Sequence, residues 1–191
     1  MNLASFIFYC FIVTFTPGPT NIVILSTVHN RGVRKGMEYT YGATLAFGLL
    51  LACSAVLNTV LATVLPKVLI VMQVVGTFYM LYLAYQIYQM DASKDSVNQT
   101  GSFLTGFLMQ FLNPKVVLFT MTVIPGFILP YYTDTIAVLL AVFAITIIGF
   151  VAFVTWVLFG AVFKTFLQRH NKPVNVVMSL FLVYATIMIW L

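Results

Sequence analysis

The chain has 191 residues, 62% of them hydrophobic and 7% charged, and its nine bases and four acids leave a net charge of +5. Charged residues make up about 25% of an ordinary soluble domain, so a soluble fold of this size could not clothe its surface. A disordered chain is excluded as well, since it needs low hydrophobicity and high charge. The class that remains is an integral membrane protein.

The few charges mark out the elements. Residues 1–28 carry no charged side chain, nor do 39–66, 68–90, 116–133, 135–163 and 174–191. A membrane helix needs about 20 apolar residues at about 1.5 Å each. The pattern predicts an all-α protein with six transmembrane spans, at 3–28, 40–64, 68–89, 103–129, 135–162 and 174–191. The runs are continuously apolar rather than alternating, which argues against a transmembrane β-barrel. The first run has no basic flank and continues through Pro17-Gly18-Pro19 instead of ending at a small-residue cleavage site, so it reads as a span and not as a signal peptide. Cys10 and Cys53 fall inside spans and read as packing residues.

The loops set an orientation. Arg31, Arg34, Lys35, Lys94, Lys164, Arg169 and Lys172 follow spans one, three and five, whereas the opposite side holds only Lys67. Seven bases against one place the richer side in the cytoplasm and both termini outside. This asymmetry accounts for the basic balance, and no nucleic-acid partner is called for. The polar stretch 91–102 divides the chain into a three-span repeat, 1–94, and a second copy, 95–191, within one membrane domain. An odd number of spans per half inverts the second copy relative to the first.

Each half carries one proline break. Thr16-Pro17-Gly18-Pro19-Thr20-Asn21 interrupts the first span and Asn113-Pro114-Lys115 the fourth, with Pro17 and Pro114 97 positions apart. Interrupted helices at matching places in inverted halves are the sequence mark of a transporter's binding site near the midplane. Proline has no N–H and clashes with the carbonyl four residues back. Pro17 and Pro19 therefore free the carbonyls of Val13 and Phe15, and Pro114 frees that of Gln110. Bare carbonyls cost several kcal/mol each in hydrocarbon, so they must face protein, water or a ligand. Each helix that resumes begins with unpaired N–H groups and partial positive charge, which suits a carboxylate. Thr16, Thr20, Asn21 and Asn113 add neutral donors and acceptors beside it. A plain packed kink, with no ligand, is the alternative.

Lys115 is the one formal charge inside a span. It lies about 18 Å along that helix, too deep for its stem to reach the interface, so its ammonium should face an internal cavity. Two readings stay open: an ion pair with a substrate carboxylate, or a structural contact to freed carbonyls. Glu38, Asp91, Asp95 and Asp134 all fall in loops or at span ends, so no relay of buried acids is visible. His29 and His170 read as interface residues, and Gly42 and Gly48 as sites of close helix approach.

Taken in order, Thr16 to Pro19, Arg31-Gly32, Gly36, Gly42, Gly48 and Asn113 to Lys115 resemble the LysE/RhtB superfamily of amino-acid exporters, and the likeness covers essentially the whole chain. Within it, Pro17 to Asn21, Gln110 to Leu118 and Asn175 to Tyr184 look most like the cysteine and O-acetylserine exporter branch. The resemblance implies an inner-membrane secondary carrier driven by an ion gradient, proton or sodium, with no cofactor, and a central pathway shaped by the two proline motifs. One departure stands out. Many members carry an aspartate directly after Pro-Gly-Pro, whereas this chain has Thr20 followed by Asn21. Neutral oxygens there disfavour cationic substrates such as lysine and favour small neutral amino acids.

The expected function is export of small amino acids, of the cysteine, O-acetylserine, threonine or homoserine class, from residues Thr16 to Asn21 and Asn113 to Lys115. The expected partners are the amino acid and the bilayer, and a homodimer is compatible with so small a carrier. A membrane enzyme would need nucleophile–base pairs, metal ligands or clustered acids, and the spans offer none. A cation exporter of related fold and a non-transporting assembly subunit are the alternatives. The first lacks buried acids, and the second does not explain paired breaks.

Overall fold

The computed structural model describes residues 3–89 and 101–188. The division at 94/95, together with Asp91, Lys94 and Asp95, lies outside the described residues, as do the last three residues of the sixth predicted span. Among the described residues the chain is all-helical: α1 (Leu3–Phe15), α2 (Pro19–Arg31), α3 (Val33–Gln89), α4 (Phe103–Leu112), α5 (Pro114–Val123), a π-helical turn (Ile124–Ile128), α6 (Thr135–Val162), α7 (Lys164–Arg169) and α8 (Asn171–Met188).

Val33–Leu57 and Thr135–Val162 are each long and apolar enough to cross a membrane. Two bent pairs also qualify if each counts as one span: Leu3–Phe15 with Pro19–Arg31, bent by 47°, and Phe103–Leu112 with Pro114–Ile128, bent by 68°. Both bends sit at the predicted proline breaks. The surface fits the composition: Phe8, Phe78 and Ile136 are 66%, 70% and 71% exposed, as apolar side chains that face lipid tails are.

The predicted gap at 65–67 is not seen, because helical backbone runs unbroken from Val33 to Gln89. It is nevertheless not one straight rod. Gly42 lies against the backbone of Phe103, and Gly76 lies against the backbone of Leu112. A straight helix would hold positions 42 and 76 about 50 Å apart, whereas α4 is about 15 Å long. The chain therefore doubles back, and both halves of α3 lie on α4. The crossing is reciprocal, since Gly106 of α4 abuts the backbone of Tyr39. In lipid the hydrophobic effect does not draw helix to helix, so such small-residue contacts carry the packing.

Helix ends follow local chemistry. Gly32 ends α2 at φ 85°, in the left-handed region that glycine alone enters cheaply. Ser102 and Thr105 exchange side-chain bonds to each other's N–H, 3.2 and 2.9 Å, and start α4. Asp134 caps α6 through the Ala137 N–H at 2.9 Å, and Glu38 pairs with Lys35 at 2.6 Å, so both acids take the bland roles of a cap and a surface ion pair.

The buried residues form two clusters. One gathers Ile24, Val28, Tyr39, Met80, Phe153 and Leu182 around the second half of α2. The other gathers Phe6, Cys10, Phe47, Phe119 and Ile145 around α1 and α5. Cys10 is thus a packing residue, while Cys53 is exposed. Every residue of α2 from Pro19 to His29 is buried, although this helix carries Thr20, Asn21, Ser26, Thr27 and His29. A polar helix wrapped by the others marks where the chain invests its hydrogen bonds.

Candidate functional site

The site lies where the two breaks meet. Pro17 cannot continue α1, and α2 restarts at Pro19, whose fixed φ suits a first helical position and whose missing N–H costs nothing there. Pro114 opens α5 in the same way.

Most of the carbonyls exposed by the first break are taken up by protein. The Thr16 hydroxyl donates to the Val13 carbonyl at 3.4 Å. The Trp156 indole donates to the Phe15 carbonyl at 3.2 Å from α6. The Asn21 amide donates to the carbonyls of Thr14 and Thr16 at 3.1 and 2.9 Å. Lys115 completes the set from the other half of the chain: its Nζ donates to the Thr16 carbonyl at 3.1 Å, the Thr16 hydroxyl at 2.9 Å and the Pro17 carbonyl at 3.5 Å. The structural contact weighed for this lysine is therefore present. Gly18 makes room for it, since a methyl group there would lie 3.2 Å from the Lys115 Nζ.

A second link lies deeper. Thr20 Oγ1 accepts from Asn113 Nδ2 at 3.0 Å and from Gln110 Nε2 at 3.1 Å, joining α2 to α4 and to the second break. Both donors are N–H groups, so the Thr20 hydroxyl proton is left to donate. Where a carboxylate would accept two amides, this chain uses a neutral hydroxyl.

The two helix starts differ. At α5, Asn113 Oδ1 accepts the Lys115 N–H at 3.1 Å, and the Asn113 carbonyl accepts the Val116 and Val117 N–H groups at 3.0 and 3.1 Å. That end is closed on itself. At α2 the N-cap is Gly18, and no side chain caps the first turn. The α2 start is thus the one that leaves anion-binding capacity.

Val13, Thr14, Gly18, Thr20, Asn21, Phe47, Asn113, Lys115, Val116, Phe119 and Phe153 line a half-open cavity of about 30 Å³. That is room for water but not for an amino acid, since one water needs roughly 10–15 Å³. All nine predicted site residues fall around this meeting point. Thr16 and Pro17 form an exposed rim, Gly18 and Lys115 are half-buried, and Pro19, Thr20, Asn21, Asn113 and Pro114 form a buried floor.

Two contributors were not singled out from the sequence. Gln110 is fully buried, and Trp156 reaches the break from α6; each is a lone polar handle in an apolar run. The π-helical turn that ends the bent pair was not predicted either; there Leu129 N donates to the Ile124 carbonyl at 3.0 Å. Pro125 has no N–H to offer the carbonyl four residues back, and the ladder widens by one residue. The dipeptide Pro125-Gly126 was the visible signal for it.

The family model described as LysE type translocator matches residues 11–190. A cysteine/O-acetylserine efflux protein of Escherichia coli (strain K12) is 29% identical over 194 residues, covering 98% of this chain and 97% of the relative. A protein of the same description from Salmonella typhi is 29% identical over 191 residues, covering 100% of this chain and 98% of the relative. No solved structure matches.

Proposed function

The chain belongs to the LysE type translocator family, a multi-pass membrane protein, and from that premise we propose that it exports small neutral amino acids across the cytoplasmic membrane. The substrate class is cysteine, O-acetylserine, threonine or homoserine. The relatives described as cysteine/O-acetylserine efflux proteins support the first two. The observation that carries the reading is the meeting of the two proline breaks around one cavity, bridged by Lys115 to Thr16 and by Asn113 to Thr20.

The carrier works as two inverted three-span repeats, 1–94 and 95–191, rocking about those breaks in alternating access. Both termini face outward, and an ion gradient, proton or sodium, drives the cycle. The substrate carboxylate sits at the uncapped start of α2 beside Lys115. There it competes with neutral carbonyls of Thr16 and Pro17, and a charge-assisted bond is roughly twice as strong as a neutral one. Binding would thus loosen the link between the halves. The ammonium is held close by, at Asn21, whose amide shares the Thr16 carbonyl with Lys115.

The test is a panel of labelled amino acids loaded into cells overproducing the protein, with efflux and resistance followed for each. Faster efflux of cysteine or O-acetylserine than of lysine is the expected result. Efflux equal to that of cells without the protein, for every amino acid tried, would overturn the reading.

A further inference from the structure

Every α-amino acid carries the same carboxylate and ammonium, so Lys115 and Asn21 alone do not separate a small substrate from a large one. That choice is made where the side chain lies. Two connected groups of residues line the cavity. One is polar: Lys115 lies against Gly18, Asn113 is bonded to Thr20 at 3.0 Å, and Asn21 follows Thr20 in α2. The other is aromatic: Phe47 of α3, Phe119 of α5 and Phe153 of α6.

Phe47 is the central ring of the three. It lies nearly parallel to Phe119, with centroids 5.9 Å apart and 7° between the planes, and it meets Phe153 edge-on at 6.2 Å and 72°. Both arrangements are ones that the quadrupoles of aromatic rings favour. The α6 backbone leaves it a seat at Gly149, one turn before Phe153. A methyl group there would lie 2.6 Å from the Phe47 Cε1 and 2.8 Å from its Cδ1. Two rings and a stretch of backbone thus fix Phe47, which is buried. A side chain packed in this way yields little to an incoming group. Phe119 shares a face of α5 with Lys115, one turn or about 6 Å further on. The aromatic group therefore begins within the reach of a small amino acid anchored at the lysine.

From this arrangement we infer that Phe47 is a specificity-determining residue: with Phe119 and Phe153 it forms the subsite for the substrate's side chain and sets the upper limit on that side chain's size. The inference rests on the transport reading above and deepens it. The rings carry no charge, so a charged side chain finds no counter-ion among them. A thiol behaves as a small hydrophobe and suits them. Side chains up to that of O-acetylserine are admitted when the walls part, whereas an aromatic side chain needs the space that the Phe47 ring already fills.

The experiment measures kcat/KM for transport of labelled cysteine, threonine and phenylalanine in proteoliposomes containing the full chain. The readout is the ratio of phenylalanine to the better of the two small substrates, which does not depend on how much of the protein is active. The unmodified protein should prefer the small substrate at least about tenfold, the discrimination expected when even one methylene does not fit. Phe47→Ala leaves a space the size of a ring and should shrink that gap at least about fivefold. Phe47→Leu keeps the core nearly filled and should shrink it about twofold or more, which decides the matter if the alanine variant does not fold. Phe6→Leu is the control, because Phe6 belongs to the same buried cluster as Phe47 and does not line the cavity; it should leave the gap as it is. An unchanged gap in the folded Phe47 variants, or one that Phe6→Leu moves as far, makes Phe47 a packing residue and overturns the inference. So does an unmodified protein that moves phenylalanine as readily as the small substrates. An unmodified protein that moves no amino acid overturns the transport reading and this subsite together, whereas transport of cysteine or threonine with the gap unmoved removes the subsite alone.

Discussion

Lys115 Nζ stands 2.9 Å from the hydroxyl of Thr16, a residue 99 positions earlier in the chain, and 3.1 Å from the same residue's carbonyl. The lysine at the second break therefore ties that break to the first. Lys115→Met should lower efflux of labelled cysteine by tenfold or more while the protein still reaches the membrane. Lys115→Arg keeps the charge but not the slender reach past Gly18, and it should restore only part of the activity. Each hydrogen bond lost with the ammonium contributes about 1 kcal/mol, so thermal unfolding in detergent should fall modestly. Wild-type efflux from Lys115→Met would remove the lysine from the mechanism.

Thr20 holds two side-chain amides with one oxygen. Thr20→Val keeps the shape and strands both N–H groups in a buried place, at about 1–3 kcal/mol each. Thr20→Ser keeps the acceptor and should unfold close to wild type. Thr20→Asp accepts both amides and adds a negative charge, and it should gain measurable lysine efflux. Equal melting temperatures for the valine and serine variants would contradict the role given to the hydroxyl.

The glycines make a graded set. A methyl group at Gly42 or Gly106 meets backbone across the α3–α4 crossing, and backbone cannot step aside. At Gly18 it meets only the flexible end of Lys115, and at Gly126 nothing lies within 4 Å. Gly42→Ala and Gly106→Ala should lower the yield of monodisperse protein sharply, Gly18→Ala should mainly lower transport, and Gly126→Ala should do neither. Size-exclusion profiles of the four variants decide it.

At the Arg31 end of α2, His29 Nε2 meets Asn171 Oδ1 at 2.7 Å and Asn30 donates to Asn175 at 3.3 Å, which fastens α2 to α8. If the proposed cycle opens the cavity on that side, these bonds break. A Val13→Cys reporter, with Cys10 and Cys53 replaced by alanine, should react with a charged thiol reagent about fivefold faster once His29→Ala is added, a change of about 1 kcal/mol. An unaltered labelling rate would show that access runs elsewhere.

The bends and the lysine beside one of them were legible because their causes are local. A proline without its N–H interrupts a helix wherever it falls, and a single lysine in an apolar span declares itself. Partners were not legible, because they come from far along the chain. That the Phe15 carbonyl turns to Trp156, and that Thr20 answers Gln110 from 90 positions away, depends on how the helices cross. The unbroken helix through 65–67 escaped for another reason: proline is tolerated in a first turn, so Pro66-Lys67 reads equally as a gap or as a tight junction. The widened turn at Ile124–Ile128 did carry a signal in Pro125-Gly126, hidden inside a run long enough to pass as one straight span.

A pocket of about 30 Å³ has a consequence for speed. No amino acid fits in it as it stands, so on the proposed reading cargo enters only while the walls are parted. On that reading turnover becomes a matter of how often the protein flexes, giving rates that climb steeply with warmth and hardly at all with a steeper solute gradient once the carrier is filled.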